Sequence, residues 1–143
     1  MSGPVQTTVK VKILARLVAG ILTWSYTAGF IPPANGFNQG NGHEGRIHII
    51  APGEAEIVFD LDDRTGWRLR FIPNESEAIW ISRGSVCPIG PGDGDGQFII
   101  NRPQNMRLTI TNLNTVQGEY CYALRFDSDQ GVQTFDPIIK NGP

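Results

Sequence analysis

The sequence predicts an all-β fold: an antiparallel two-sheet β-sandwich of the immunoglobulin-like kind, with about nine to ten strands, built as a single domain over residues 1–143. Three observations carry this expectation. Apolar residues recur with period two, as where Val9, Val11, Ile13, Ala15 and Leu17 alternate with Lys10, Lys12, Leu14, Arg16 and Val18. The 17 glycines and 10 prolines punctuate that pattern at short intervals. Helix-forming residues never run for long. A closed barrel is the second choice.

Residues 1–6 read as a loose leader. In the first strand a helix would scatter the lysines among the apolar positions, whereas a strand sorts them to one face. Ala19-Gly20 permits a tight turn, and residues 21–26 return as the second arm of a hairpin, with Leu22, Trp24 and Tyr26 on one face. Residues 29–45 carry Pro32-Pro33, Asn35-Gly36 and Gly40-Asn41-Gly42, and read as a long loop without regular structure. Its Phe30, Ile31 and Phe37 either pin it to the body or form a contact surface. Residues 47–51 form a short strand. Ala55, Ile57, Phe59 and Leu61 then alternate with Glu56, Val58 and Asp60. After a turn at 62–66, Trp67, Leu69 and Phe71 alternate with Arg68 and Arg70 as a half-buried strand.

Residues 73–77 are a turn or a single helical turn, followed by a strand at 78–82 and a second long loop at 83–96. Strands follow at 98–100 and around Leu108 and Ile110. The clearest strand of the chain starts at Gly118. Tyr120, Tyr122, Leu124 and Phe126 fall on one face, and Glu119, Cys121, Ala123 and Arg125 on the other. A last turn at 127–131 leads to Asp136-Pro137-Ile138-Ile139-Lys140-Asn141. The tryptophans Trp24, Trp67 and Trp80 all sit at core parity.

The formal charge of −2 and the scattered basic residues lack the positive stripe that a phosphate backbone requires, so no nucleic-acid partner is expected. Lys10, Lys12 and Arg16 read as a solvated strand face. The apolar stretch 13–28 is interrupted by Arg16 and followed by Thr23, Ser25 and Thr27, which argues against a membrane span. Its lysines alternate with apolar residues, unlike the charged start of a signal peptide, so a cytoplasmic protein without a membrane partner is expected. Cys87 and Cys121 are too few for a disulfide framework, and their spacing leaves open two separate thiols or a single bridge.

Acidic turns are the one metal signal. Asp93-Gly94-Asp95-Gly96 resembles the opening of a calcium loop, because Ca2+ takes carboxylate and carbonyl oxygens. The helix–loop–helix version needs Glu where Gln104 stands, which removes it. A sandwich gathers carboxylates from several loops instead. Counting strand reversals places Asp62 and Asp63 at the same end as Asp93 and Asp95, with Asp127 and Asp129 opposite. These four residues are the candidate Ca2+ ligands, set against ordinary Asp-Gly turn chemistry. His43 and His48 are the only histidines, and neither is tied to a nucleophile by a known spacing. There is no Cys-x-x-Cys and no phosphate loop, so an enzyme is not expected and no other cofactor is implied.

The run Tyr120-Cys121-Tyr122-Ala123-Leu124 and the closing Asp136-Pro137-Ile138-Ile139-Lys140-Asn141 resemble the ending of small bacterial proteins grouped as the DP-EP family. The strand at Val9-Lys10-Val11 and the run Leu22-Thr23-Trp24-Ser25-Tyr26 resemble theirs as well. More loosely, the Asp-Pro-x-Ile-x-Asn ending resembles the bacterial crystalline inclusion-body proteins. The Glu-Pro half of the signature is missing here, and the loops 29–45 and 83–96 are longer. The DP-EP resemblance implies no assigned activity and marks Asp136, Pro137 and Asn141 as a structural signature. The looser one implies ordered self-association rather than a reaction. The expected role is therefore protein–protein contact or self-assembly through an exposed edge strand, with a calcium-assisted glycan-binding module as the alternative.

Overall fold

The computed structural model describes residues 5–39, 46–84, 86–135 and 137–142. The chain opens with a hairpin. Strands β1 (Val5–Val18) and β2 (Ile21–Ile31) are joined by Ala19-Gly20. Both turn residues have positive φ, 51° and 79°. That is the two-residue turn whose twist matches the flanking strands, and Gly20 suits it at no steric cost. It closes Val18 against Ile21 and sets a register that holds to Thr8 and Ile31. The remaining strands are β3 (Gly36–Gln39), β4 (Arg46–Ile49), β5 (Glu54–Asp63), β6 (Arg70–Phe71), β7 (Ile79–Arg83), β8 (Phe98–Ile100), β9 (Arg107–Asn112), β10 (Gly118–Asp127), β11 (Gln133–Phe135) and β12 (Ile138–Asn141). One helical turn, α1 (Glu75–Ala78), precedes β7, and the Asn74 side chain caps it by accepting from the Ser76 N–H at 3.0 Å. No helix among the described residues is long and apolar enough to cross a membrane.

The strands form two sheets packed face to face, as the periodicity predicts. The first has the order β2-β1-β5-β9-β8, and the second runs β11-β10-β12-β4-β3 with β6 and β7 on the far edge of β10. They are mixed rather than purely antiparallel. β1 runs parallel to β5, and β12 runs parallel to β4. The twelve strands among the described residues exceed the nine to ten expected because β3, inside the stretch 29–45, and the three-residue β11 also pair.

Most of the aliphatic, phenylalanine and tyrosine residues that alternation points inward are core. Val9, Val11, Ile13, Ile57, Phe59, Leu108 and Ile110 of the first sheet meet Ile47, Ile79, Tyr120, Tyr122, Leu124, Phe126 and Ile139 of the second, all buried. Aromatic contacts stitch the layers together: Phe59–Tyr122 at 5.5 Å, Trp24–Phe126 and Trp24–Phe135 at 5.3 Å, and Phe98–Tyr120 at 5.2 Å.

Three sequence expectations are corrected. The stretch 29–45 is not loop throughout. β2 extends to Ile31, a 3-10 turn occupies Pro33–Asn35, and β3 pairs with β4. Phe30 is buried here, and any side chain at Gly36 would collide with its ring and with the His48 carbonyl. The stretch 67–71 holds only the two-residue β6, because Arg68 takes a positive φ of 57°. The tryptophans do not form the core. Trp24 is half-buried against it, and Trp67 lies half-buried in a turn. Trp80 faces outward between buried Ile79 and Ile81, under the Arg125 guanidinium at 3.8 Å.

The outer face of the first sheet shows what the basic residues do. Lys10, Lys12 and Arg16 stand on exposed positions of β1. The parallel neighbour sets Thr8, Lys12 and Leu14 level with Glu56, Asp60 and Asp62 of β5. A basic column thus runs beside an acidic one. Asp60 in turn meets Arg107 of β9 at 2.6 Å.

All 3 tyrosines of the chain, Tyr26, Tyr120 and Tyr122, are buried. Burial pushes each phenol above its ordinary value of 10.0, and the facing hydroxyls of Tyr26 and Tyr122, 3.4 Å apart, raise Tyr122 further. Folded tyrosines therefore keep protons that the unfolded chain loses. Their contribution is intact below pH 10.0 and is lost as pH rises beyond it. Stability should fall steeply on the alkaline side of that value, and phenolate absorbance should rise only together with unfolding. Absorbance growing at pH 10 in a protein still folded by circular dichroism would contradict the burial.

Candidate functional site

The acidic turns at 62–63 and 93–95 carry the candidate metal ligands Asp62, Asp63, Asp93 and Asp95. Asp63 ends β5, and its carboxylate is taken up by the chain itself. Oδ1 accepts from the Thr65 N–H at 2.9 Å and from the Thr65 hydroxyl at 2.5 Å, and Oδ2 accepts from the Leu69 N–H at 2.9 Å. These bonds curl residues 64–69 and displace the expected strand. Asp62 meets Arg64 at 3.2 Å on the surface. Asp93 accepts from the Gly96 N–H at 3.0 Å, and Asp95 sits at a positive φ of 59°.

The two pairs are not neighbours. Asp63 ends β5 at one edge of the sandwich. The Asp93 carbonyl accepts the Phe98 N–H at 3.2 Å, and Phe98 is level with Asn112 and, one strand on, with Ala55 at the opposite end of β5. Eight residues of strand separate those levels, on the order of 25 Å. Asp129, expected at the far end, instead pairs with Arg68 at 3.0 Å, and its N–H donates to the Trp67 carbonyl. The count of strand reversals fails because residues 72–78 make no reversal: β6 and β7 both run antiparallel to β10 and so continue in one direction. Among the described residues no group of three or more His, Cys, Asp or Glu could hold a metal ion.

His43 lies outside the described residues. His48 is buried in β4, its Nε2 lies 2.6 Å from the Gly142 carbonyl, and its ring packs on Phe37 at 4.7 Å.

Of the signature residues, Pro137 and Asn141 are described, and Asp136 lies outside the described residues. Pro137 sits between β11 and β12, where both run antiparallel to the same edge of β10, and its carbonyl accepts the Tyr122 N–H at 2.9 Å. The return strand is offset at a residue with no N–H to lose. Asn141 is fully buried and forms a reciprocal amide pair with Asn112. Asn112 Nδ2 donates to Asn141 Oδ1 at 2.7 Å, and Asn141 Nδ2 donates back at 3.2 Å. The pair joins β9 of one sheet to β12 of the other. The link between Asn112 and Asn141 is absent from any local pattern, and sequence reasoning missed it.

One surface feature remains open, the free edge of β2. Among the described residues only β1 pairs with it. Its eleven residues, ILTWSYTAGFI, contain no charge and no proline. The strand spans roughly 37 Å at about 3.4 Å per residue. The other edges are different. β3, β8 and β11 are four residues or shorter. β7 is capped by the segment 91–94, through Ile81 N–H to the Gly92 carbonyl and Gly94 N–H to the Ile81 carbonyl at 2.9 and 3.0 Å. A long, uncharged, proline-free edge is a ready template for another strand.

No protein-family model matches the chain, and no curated protein matches it, so the kinship with the DP-EP proteins stays a resemblance carried by the terminal motifs. Among solved structures, the crystal structure of the inclusion body protein PixA from Burkholderia cenocepacia is similar over 97% of this chain and 98% of that one, at 8% identity and a TM-score of 0.46.

Two outcomes follow from the bonding of these residues. Asp63→Ala removes an acceptor of three bonds and should cost roughly 1.5–3 kcal/mol, with the same loss in calcium and in EDTA. Asn141→Leu strands the Asn112 amide and should cost roughly 2–3 kcal/mol. The Asn112→Leu/Asn141→Leu double variant should lose clearly less than the sum of its parts in urea unfolding.

Proposed function

We propose that this chain works as a non-enzymatic β-sandwich acting through protein–protein contact, and that its contact is self-association through the free edge of β2. The observation that carries this reading is the length and neutrality of that edge beside four edges that are short or covered. In a two-residue hairpin the closing pair Val18–Ile21 exchanges both ladder bonds, so the even residues Leu22, Trp24, Tyr26, Ala28 and Phe30 aim their backbone groups at the open side.

The strand is also self-complementary. Its exposed apolar residues, Ile21 and Ile31, stand 69% and 54% exposed at its two ends, equidistant from Tyr26. Antiparallel pairing about Tyr26 sets Ile21 of one copy against Ile31 of the other. It also sets Ser25 against Thr27, a favourable cross-strand match. Charge does not oppose it. The two β1 lysine columns would lie three strand spacings apart, about 14 Å, beyond the screening length of about 8 Å at physiological salt. Such a contact uses the same patch twice and therefore closes as a dimer.

Light scattering across concentrations should show a dimer. Ile21→Lys sits at an exposed position and should raise the dimer Kd at least tenfold while leaving the melting temperature of the monomer in place. Ile21→Lys combined with Ile31→Glu should recover association, because each lysine then meets a glutamate across the pair. A protein that stays monomeric at high concentration, or a dimer indifferent to Ile21→Lys, defeats the reading.

A further inference from the structure

β10 is a strand with no open face, and the side chains that cover its outer side are the starting point. Cys121 and Ala123 point away from the sandwich core, yet both are buried. Cys121 lies level with Ser82 of β7. The segment after β7 folds back over it. The Gly84 N–H donates to the Glu119 carbonyl at 2.8 Å, and the Ser82 hydroxyl donates to the Val86 carbonyl at 2.9 Å. These bonds place Cys87 directly on Cys121, with the two Sγ atoms 2.6 Å apart. Both stand as thiols in the structure. The neighbours on the covering segment, Val86 and Ile89, are strongly exposed.

We infer that Cys87 and Cys121 are a thiol–disulfide couple, in which Cys87 is the attacking thiol and Cys121 the resolving one, toward a low-molecular-weight disulfide such as oxidised glutathione. The asymmetry of exposure fixes the order. Cys87 is exposed and Cys121 fully buried, so an external disulfide meets Cys87 first. The Cys87 thiolate attacks one glutathione sulfur, the glutathione S–S bond breaks, and one glutathione leaves as thiolate and takes up the proton that Cys87 lost. Cys121 then gives up its proton and attacks the Cys87 sulfur of the mixed disulfide. The second glutathione leaves with that proton. Two protein thiols are oxidised to one bridge, and one disulfide is reduced to two thiols. The bridge closes a loop of 34 residues and ties the covering segment to the central strand. This inference is independent of the β2 edge, which lies on the other sheet.

The test equilibrates the full chain in glutathione buffers of stepwise oxidised-to-reduced ratio, alkylates remaining thiols and reads intact mass. Wild type should pass from two alkylated cysteines to none without retaining glutathione, and the oxidised form should melt several degrees higher. Cys121→Ala, a small apolar residue for a buried position, should accumulate one glutathione on Cys87. Cys87→Ser, at an exposed position, should react at least tenfold more slowly than wild type, which keeps the test decisive even where Cys121→Ala folds poorly. The inference is overturned by a wild type that stays dithiol in fully oxidised buffer, by one that holds a stable glutathione adduct, or by Cys87→Ser reacting as fast as wild type.

Discussion

β10 bonds to β7 and β6 along one edge and to β12 and β11 along the other, and both of its faces are covered. Tyr120, Tyr122, Leu124 and Phe126 face the opposite sheet. The other side carries the small residues Cys121 and Ala123, which allow the covering segment to approach closely, and then Arg125, which lies over Trp80 and pairs with Glu77 of α1 at 2.5 Å. Removing this strand would leave β6, β7 and β11 with no partner strand among the described residues. The period-two alternation reports its inner face faithfully. It does not report that the outer face is also occupied, because cysteine and alanine there are compatible with either state.

The fold was legible where a strand's own sequence decides its faces. β5, β9 and β10 bury the residues that alternation assigns to the core, and β1 does so from Val9 to Ala15, while Leu17 near its end is exposed. Partners were less legible. A parallel and an antiparallel neighbour demand the same alternation, so nothing in residues 5–18 says that β5 runs alongside rather than against them. The acidic loops were misplaced for another reason: residues 73–77 read as a reversal, whereas β6 and β7 run the same way along β10. Trp80 failed for a related reason. Ala78-Ile79-Trp80-Ile81 is continuously apolar, and a run without alternation does not say which parity points inward.

Carboxylates at turns posed a different problem. A ligand aspartate and a turn-forming aspartate look alike in sequence, since both need only an oxygen at a bend. The distinction lies in where the nearby N–H groups point. At Asp63 the donors of Thr65 and Leu69 converge on the side chain, so its oxygens shape the chain. Asn112 and Asn141 show the reverse case. Neither is informative locally, and their pairing arises only once β9 and β12 face each other across the core. Asn141 thus fastens β12 of one sheet to β9 of the other.

Charge placement connects this architecture to the contact surface proposed on β2. The chain has lysines and acids enough to guard an edge, yet on the first sheet they occupy β1 and β5, where the columns face each other inside the sheet. β2, one strand further out, receives only Thr, Ser, Gly and Ile on its outer face. Charges within the sheet stabilise little, being exposed and screened, whereas the same charges on β2 would repel a second copy. The inner face of β2 is meanwhile held firmly, with Trp24 stacked on Phe126 and Phe135 and Tyr26 buried against Tyr122. A strand anchored on one face and bare along its edge is rigid before it meets a partner. Little ordering entropy is then left to lose on pairing, which is the condition under which a modest row of backbone bonds suffices for association.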